Sequence, residues 1–484
     1  MTINGKTRLT GLIGNPVEHT LSPVIHNGIS KKMDVDAIYV PFKVEAEGLE
    51  AAVKGAYELN VLGMNVTVPH KNDVIKSLVG IDDGAKHIGA VNTLVRDEEK
   101  GGYIGYNTDM LGLRRQIHED GINLDGRTVV ILGAGGAAKA VVYMCLLDGA
   151  DKVYLLNRTL DKAEKIAADM NKLVAEGLIP TGCKSLEVDN SKENNKSSVA
   201  KQSKVVPYSI SDYADITEDN LIVFQATSIG LFPNVDACVI EDGVFFDKVD
   251  IGVDLIYNPA ETKFMKLVNS HGGKAYNALK MLLYQGVIAY ELWHKVTVES
   301  DILEDIYVEL KRRVYPKDNI VLIGFMGSGK TTFGKALADK LSMKFFDTDE
   351  YIEKREGMTI KEIFATKGEE GFRQIETDVL RELADTLCGC VVSTGGGMPL
   401  RIENARLLKE IGKVIYLNVA TQVIYERVKE DGKRPLLQVE DPYGRICEMM
   451  TERKPLYERA CDVVFDANCN DPEIITDSLL KILK

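Results

Sequence analysis

The sequence predicts an α/β protein of about three domains, and three observations carry that expectation. The chain has 484 residues, and roughly 100–200 residues make one domain. Short apolar runs alternate with helical patterns almost throughout, as in parallel sheets with crossover helices. Two of those runs pass straight into a glycine turn and then a helix, at Thr128–Ala138 and at Ile320–Thr331. A composition of 45% hydrophobic and 27% charged residues suits globular cores. The formal net charge of −13 argues against nucleic acid or an anionic membrane as partner. An anionic small molecule would have to meet local clusters of Arg and Lys.

At the N-terminus, Lys6 and Arg8 precede too short an apolar run for a signal peptide, and no cleavage site of small residues follows. No stretch approaches the roughly 18 apolar residues of a membrane span. Eight cysteines are scattered without a CxxC pair. Cys388 and Cys390 are the closest two, and reduced cytoplasmic thiols are a better reading of them than a metal site. All seven histidines precede residue 295, so the C-terminal part must work without a histidine base.

Taken in order, residues 1–115 carry short strands such as Ala37–Pro41 and Leu62–Val68 between helical patterns. A second region, 116–264, opens with the buried strand Thr128–Leu132. Residues from about 265 to 296 read as helical and are expected to complete the first domain, together with the amphipathic helix Asp301–Arg313. Residues 297–317 form a helical linker that Pro316 breaks. From 318 to 484 a third domain begins, with the strand Ile320–Ile323. Cys183–Lys204, rich in Ser, Asn and Lys, reads as a surface insertion with little to bury.

The first glycine turn reads TVVILGAGGAA. Gly133, Gly135 and Ala138 fit GxGxx(G/A), and Ala134, Gly136 and Ala137 complete the turn. The first glycine permits the tight bend, and the second lets backbone approach a pyrophosphate. The third, small residue lets helix pack on strand. The helix that follows offers free N–H groups to phosphate. A plain glycine-rich turn is the alternative; the strand before and the helix after favour a dinucleotide. The next strand, Lys152–Leu156, ends in Asn157, Arg158 and Thr159. An amide, a guanidinium and a hydroxyl suit a 2′-phosphate, where an NAD site would place a carboxylate, so NADP(H) is the expected cofactor.

Three polar segments precede this turn: Asn15–Pro23, Asn65–Lys71, and Gly89–Thr93 with Asn107–Asp109. Each can be turn chemistry alone. Together they offer hydroxyls, amides, one Lys and one Asp, a set able to hold a polyhydroxylated acid. In these segments the chain resembles the shikimate dehydrogenases, from residue 8 to about 296. The likeness continues through Ala226–Leu231, Asp254–Pro259 and Met281–Gly286. It implies shikimate contacts at Thr20, Ser22, Thr67, Asn92, Asp109, Tyr257 and Gln285, with Leu255 beside the cofactor. It also implies a catalytic pair, Lys71 and Asp109. Lys71 supplies a proton and positive charge to an oxygen that becomes negative as hydride arrives. A solvated lysine after a turn is the plainer alternative for Lys71. Thr20 stands where the family usually has Ser, and Gln225 where it has Asn. Ala278 and Lys280 replace glycines near the nicotinamide, where a side chain can crowd the cofactor, and the sequence leaves open whether either does.

The second turn, Gly324–Thr331, fits GxxxxGK[ST] in full. Backbone N–H groups around Gly327, Ser328, Gly329 and Thr332 cradle phosphates, Lys330 reaches the β/γ-phosphates, and Thr331 binds Mg²⁺. Then come Phe345–Asp349, ending in two carboxylates, Gly371–Glu376, Ser393–Gly397, Arg434 with Pro-Leu-Leu, and Arg453–Tyr457. In this order they resemble the shikimate kinases from about residue 318 to 484. The resemblance implies Mg²⁺ at Thr331 and Asp347, and substrate hydroxyls at Asp349, which can accept the attacking proton. It implies a carboxylate held by Arg373 and Arg453 and close backbone approach at Gly395, Gly396 and Gly397. ATP would meet Arg427 near the adenine and Arg434 on a closing segment. Paired guanidiniums suit a planar carboxylate, though either arginine alone is more often a surface ion-pair residue.

The combined expectation is a substrate domain and a Rossmann-type NADP-binding domain, followed by a P-loop α/β/α kinase, acting on 3-dehydroshikimate and then on shikimate with ATP and Mg²⁺. The alternative is an active kinase fused to a quinate-preferring, impaired or regulatory dehydrogenase-like domain. An oligomer is possible, but no sequence feature specifies one.

Overall fold

The structure is a computed structural model that describes residues 3–179, 204–429 and 439–483. Arg434 and most of the expected insertion, 183–203, lie outside the described residues. The chain divides into two compact units between Leu310 and Lys311. That division falls inside the helix Ser300–Val314, a few residues before the boundary expected near Pro316.

The first unit holds two sheets. One is built from β1 (Arg8–Gly14), β2 (Ala37–Lys43), β3 (Gly63–Val66), β4 (Gly80–Ile81), β5 (Thr93–Asp97) and β6 (Gly102–Tyr106), in the order β2-β1-β3-β5-β6-β4. β1 pairs in parallel with β2 and β3, whereas β5 runs antiparallel to β3 and β6. The parallel strands end together at Gly14 and Val66, which brings the segments after them to one rim.

The second sheet contains β7 (Thr128–Leu132), β8 (Lys152–Asn157), β9 (Lys204–Ser209), β10 (Leu221–Gln225), β11 (Val249–Asp254) and β12 (Lys274–Asn277). Its order is β12-β11-β10-β7-β8-β9, parallel throughout. This is the doubly wound arrangement, with its crevice where the order reverses between β7 and β10. Val129 to Leu132 are fully buried, as a strand covered by helices on both faces must be. β12 departs from the expected helical run over 265–296. A short edge strand after Gly272 and Gly273 separates the helices Lys263–Ser270 and Leu279–His294. The chain therefore leaves the second sheet after Asn277 rather than at residue 264.

The helix Leu279–His294 packs closely along the helix Thr108–Glu119. A Cβ on Gly112 would lie 2.6 Å from the backbone nitrogen of Gln285, so glycine sets this approach. Asp109 and Gln285 both reach one cavity from these two helices.

The second unit is a five-stranded parallel sheet of β13 (Ile320–Ile323), β14 (Lys344–Asp347), β15 (Cys390–Ser393), β16 (Lys413–Asn418) and β17 (Val463–Asp466). The order is β14-β15-β13-β16-β17. β13 is central and wholly buried, and it delivers the glycine turn Gly324–Thr331 to the sheet's carboxyl edge. The helical stretch carrying Arg373 is broken at Gly368, whose φ of 71° is left-handed.

Candidate active sites

In the first unit a cavity of about 360 Å³ is lined by Thr20, Ser22, Asn65, Thr67, Lys71, Asn92, Asp109, Leu255, Tyr257, Ala278 and Gln285, among others. It gathers every substrate contact implied for this half. The loop before the helix Ser22–Lys32 gives Thr20, whose hydroxyl donates to Ser22 Oγ at 3.2 Å. Thr67 and Lys71 follow β3, and Asn92 precedes β5. Asp109 sits in the first turn of the helix Thr108–Glu119. Lys71 Nζ donates to Asp109 Oδ2 at 2.7 Å, with both side chains partly exposed to the cavity. Burial pushes the Tyr257 phenol above its usual pKa.

The glycine turn after β7 borders the crevice. Gly133 has φ 111°, and a Cβ there would lie 3.0 Å from the Ala226 carbonyl and 2.9 Å from the Thr227 methyl. Only glycine fits both the conformation and the contact. A Cβ on Gly135 or Gly136 would meet nothing within 4 Å, so that face of the turn is open. The helix Gly136–Leu147 begins without a side-chain cap, which leaves its first N–H groups available to an anion. Ala134 and Ala137 flank these glycines, and Ala138 is fully buried against the sheet. At the end of β8, Asn157 Nδ2 donates to Thr159 O at 2.7 Å, while Arg158 and Thr159 are exposed. The donor set fits a dinucleotide carrying a 2′-phosphate.

Lys280 is one of the two side chains that replace glycines near the expected cofactor. Its ammonium is held by Asp120 at 2.6 Å and Glu119 at 3.1 Å, at the far end of the helix Thr108–Glu119. Ala278, by contrast, does line the cavity. Gln225 shapes the loop after β10: its Oε1 accepts from Thr227 N and Oγ1, both at 2.6 Å, and its Nε2 donates to Ile229 O.

In the second unit a cavity of about 620 Å³ is lined by Gly327, Gly329, Lys330, Thr331, Thr332, Asp347, Asp349, Ser393, Gly396, Arg427 and Asn470, among others. Gly327 and Gly329 have φ of 76° and 90°. The helix Lys330–Leu341 starts without a side-chain cap. Lys330 Nζ donates to Gly324 O at 2.9 Å and Phe325 O at 3.0 Å, so it lies folded over the turn. Ser328 Oγ is buried without a hydrogen-bond partner inside the same cradle. Thr331 Oγ1 lies 3.3 Å from both Asp347 Oδ2 and Ser393 Oγ. Such hard oxygen donors suit Mg²⁺.

Asp349 is strongly perturbed in this cavity. Burial, with the neighbouring Asp347 charge, pushes its carboxyl up to about 6, and its Oδ1 has no hydrogen-bond partner. Gly395 lies against it: a Cβ there would sit 2.7 Å from Asp349 Oδ1. A Cβ on Gly397 would collide with the Arg373 guanidinium. Arg453 extends over the Phe325 ring, 5.7 Å from its centre. Arg427 is tied down by Asn470 Oδ1 at 2.9 Å and by the carbonyls of Ala467 and Cys469.

Sequence reasoning gave no role to Glu376. This residue is 1% exposed and accepts from Arg373 at 2.7 Å. Burial pushes it up to about 7, against the pull of Arg373. Its position three residues after Arg373 on one helix was the available signal. Tyr457 was also missed; its hydroxyl donates to Gly396 O at 2.6 Å and so braces the glycine strip.

Comparison with known proteins matches three families in order along the chain. The shikimate dehydrogenase substrate-binding domain matches residues 12–94, shikimate/quinate 5-dehydrogenase matches 113–172, and shikimate kinase matches 326–484. The NADP⁺-dependent shikimate dehydrogenase of Desulforamulus reducens is 38% identical over 307 residues, covering 63% of this chain and 96% of the relative. A solved shikimate dehydrogenase in complex with NADP⁺ is 34% identical, with a TM-score of 0.52 over 64% of this chain and 97% of its own. The Listeria monocytogenes shikimate 5-dehydrogenase, solved with shikimate and NAD, is 29% identical, with a TM-score of 0.54 over 63% and 98%.

Proposed function

The chain belongs to the shikimate dehydrogenase family and carries a shikimate kinase domain behind the dehydrogenase; from that premise we propose that it performs two consecutive reactions. The first half reduces 3-dehydroshikimate to shikimate with NADPH. The second transfers the γ-phosphoryl group of ATP to shikimate, giving shikimate 3-phosphate. The observation that carries this reading is a duplication of chemistry. Each unit has a cavity with an ionisable catalytic candidate, Lys71 paired with Asp109 in one and Asp349 in the other, and each also has an uncapped helix N-terminus able to hold phosphate.

In the dehydrogenase half, bound NADPH supplies the hydride. The glycine turn of Gly133, Gly135 and Gly136 receives the pyrophosphate, and Asn157, Arg158 and Thr159 meet the 2′-phosphate. Lys71 gives its proton to the carbonyl oxygen as negative charge develops there, and regains one from solvent. Asp109 orients the Lys71 ammonium and accepts from a ring hydroxyl. Thr20 and Ser22 offer hydroxyls, and Gln285 an amide, to the substrate.

In the kinase half, Lys330 swings from the Gly324 and Phe325 carbonyls onto the β/γ-phosphates. Thr331 and Asp347 hold Mg²⁺, which screens phosphate charge. Asp349 accepts the proton of the attacking hydroxyl, and Arg373 and Arg453 hold the substrate carboxylate. Arg373 is itself aimed by Glu376. Positioning and charge neutralisation suffice for this chemistry, consistent with a second unit that has no histidine. The partners are small molecules. A cytoplasmic location fits the seven described cysteines, all free thiols. No described helix is long and apolar enough to cross a membrane.

The test is end-to-end conversion. Purified chain given 3-dehydroshikimate, NADPH, ATP and Mg²⁺ should form shikimate 3-phosphate, detected by mass spectrometry. Accumulation of shikimate alone would remove the kinase assignment, and unchanged 3-dehydroshikimate would remove the dehydrogenase assignment. Running the dehydrogenase with quinate in parallel decides whether the Thr20 methyl has shifted substrate preference.

A further inference from the structure

On the dehydrogenase reading above, we propose that Thr93 and Thr108 are positioning residues. They hold the Asn92 amide with its NH₂ group toward substrate, which fixes a hydrogen-bond donor beside the Asp109 acceptor. The two ends of an amide are nearly alike in shape, so its partners decide its orientation. Asn92 Oδ1 lies 2.7 Å from the backbone nitrogen of Thr108. A backbone N–H only donates, so the oxygen faces Thr108. Asn92 lines the cavity, and the NH₂ group is the half left for a ligand.

A second backbone group fixes the other end of the network. Asn65 Nδ2 lies 3.3 Å from the Asn92 carbonyl oxygen, which only accepts. Asn65 Oδ1 is therefore turned to the Tyr39 hydroxyl, 2.8 Å away. Asn65 Nδ2 also donates to Thr93 Oγ1 at 3.0 Å. The Thr93 proton then goes on to Thr108 Oγ1 at 2.9 Å or to Asn92 Oδ1 at 3.3 Å. Thr108 Oγ1 donates to Asn92 Oδ1 at 3.2 Å. Either hydroxyl can donate in the Thr93–Thr108 contact; every other bond runs in one sense, from Tyr39 to Asn92.

Thr93 and Thr108 are fully buried, and Tyr39, Asn65 and Asn92 are no more than 4% exposed, so water does not compete. Bonds in such a chain polarise one another. The cavity wall at Asn92 thus donates, while Asp109, the residue after Thr108, accepts. A ring hydroxyl that accepts from Asn92 and donates to Asp109 satisfies both at once. A ring carbon lacking that hydroxyl leaves both unpaired. The network is therefore a specificity device for a hydroxyl at this position.

The test uses Thr93→Val and Thr108→Val, which remove a hydroxyl and nearly keep the shape, with Thr→Ser at each position as rescue. In the shikimate oxidation assay each valine variant should raise KM for shikimate about tenfold, the effect of a loosened buried polar contact, with kcat within about twofold of wild type. KM for NADP⁺ and phosphorylation by the same chain should not change, and the serine variants should restore KM. Unchanged KM in active valine variants overturns the inference and leaves the functional reading intact. A parallel fall in kcat and rise in KM for NADP⁺, or failure of serine to rescue, shows a purely structural role and also overturns it. If wild-type chain does not oxidise shikimate at all, the functional reading fails and the inference falls with it.

Discussion

Asp349 carries two opposed demands at one carboxyl. As a base it must be ionised, yet burial and Asp347 hold its pKa at about 6, above the usual carboxylate value. Phosphorylation should therefore fall on the acid side, at a pH below about 6 because Mg²⁺ at Asp347 offsets the charge that raises Asp349, while the dehydrogenase, which does not use this group, should not share that limb. The stability consequence has the opposite sign. A carboxyl raised in the folded state favours folding when protonated, and that advantage is lost as pH rises from the unfolded value through about 6. Asp349→Asn should thus abolish phosphorylation and raise the melting temperature of the kinase unit at pH 7.5, with little gain at pH 4. Equal melting curves at pH 7.5 would contradict the account. At the same scale, Lys71→Ala should lower dehydrogenase kcat by about 10²–10⁴-fold, the usual range for a lost general acid.

Single residues also show what the sequence conceals. Lys71 and Asp109 were legible because their segments carry polar residues that folding does not demand. The placement of Lys280 was not, because its ion pairs with Asp120 and Glu119 span about 160 positions of chain. The directional chain through Thr93 and Thr108 was hidden for the same reason. Both residues stood in quoted motifs, but a donor's direction exists only once β3, β5 and the helix Thr108–Glu119 meet.

Among the elements, glycine sets the closest approaches. Gly112→Ala places a methyl against the Gln285 backbone where the helices Thr108–Glu119 and Leu279–His294 touch. Overpacking of this kind typically costs about 1–3 kcal/mol. The first unit should melt lower, and KM for shikimate oxidation should rise as Gln285 shifts, with phosphorylation unchanged. Gly397→Ala should do the converse, displacing Arg373 and raising KM for shikimate in the kinase assay alone. The buried strands β7 and β13 were readable because each is an apolar run that passes into a glycine turn, and β8 because it is a largely apolar run of six residues. β12 was not: four residues at a sheet edge, Lys274–Asn277, carry too little alternation to separate from flanking helical patterns.

For the whole molecule, two glycine turns on two sheets in two compact units were evident from the sequence, since each turn follows its own buried strand. The exact division was harder to read, because an uninterrupted helix, Ser300–Val314, runs through it and Pro316 marks only where that helix has ended. Separate units imply separable activities. Lys71→Ala should leave shikimate-dependent ATP consumption at the wild-type rate, and Asp349→Asn should leave NADP⁺ reduction untouched. The most direct test of the central claim is NADPH formation by purified full-length chain given shikimate and NADP⁺ without ATP, measured for wild type and Lys71→Ala. Steady turnover by wild type and near-complete loss in the variant are predicted. No turnover by wild type, with shikimate-dependent ATP consumption intact, would contradict the claim of two working enzymes on one chain.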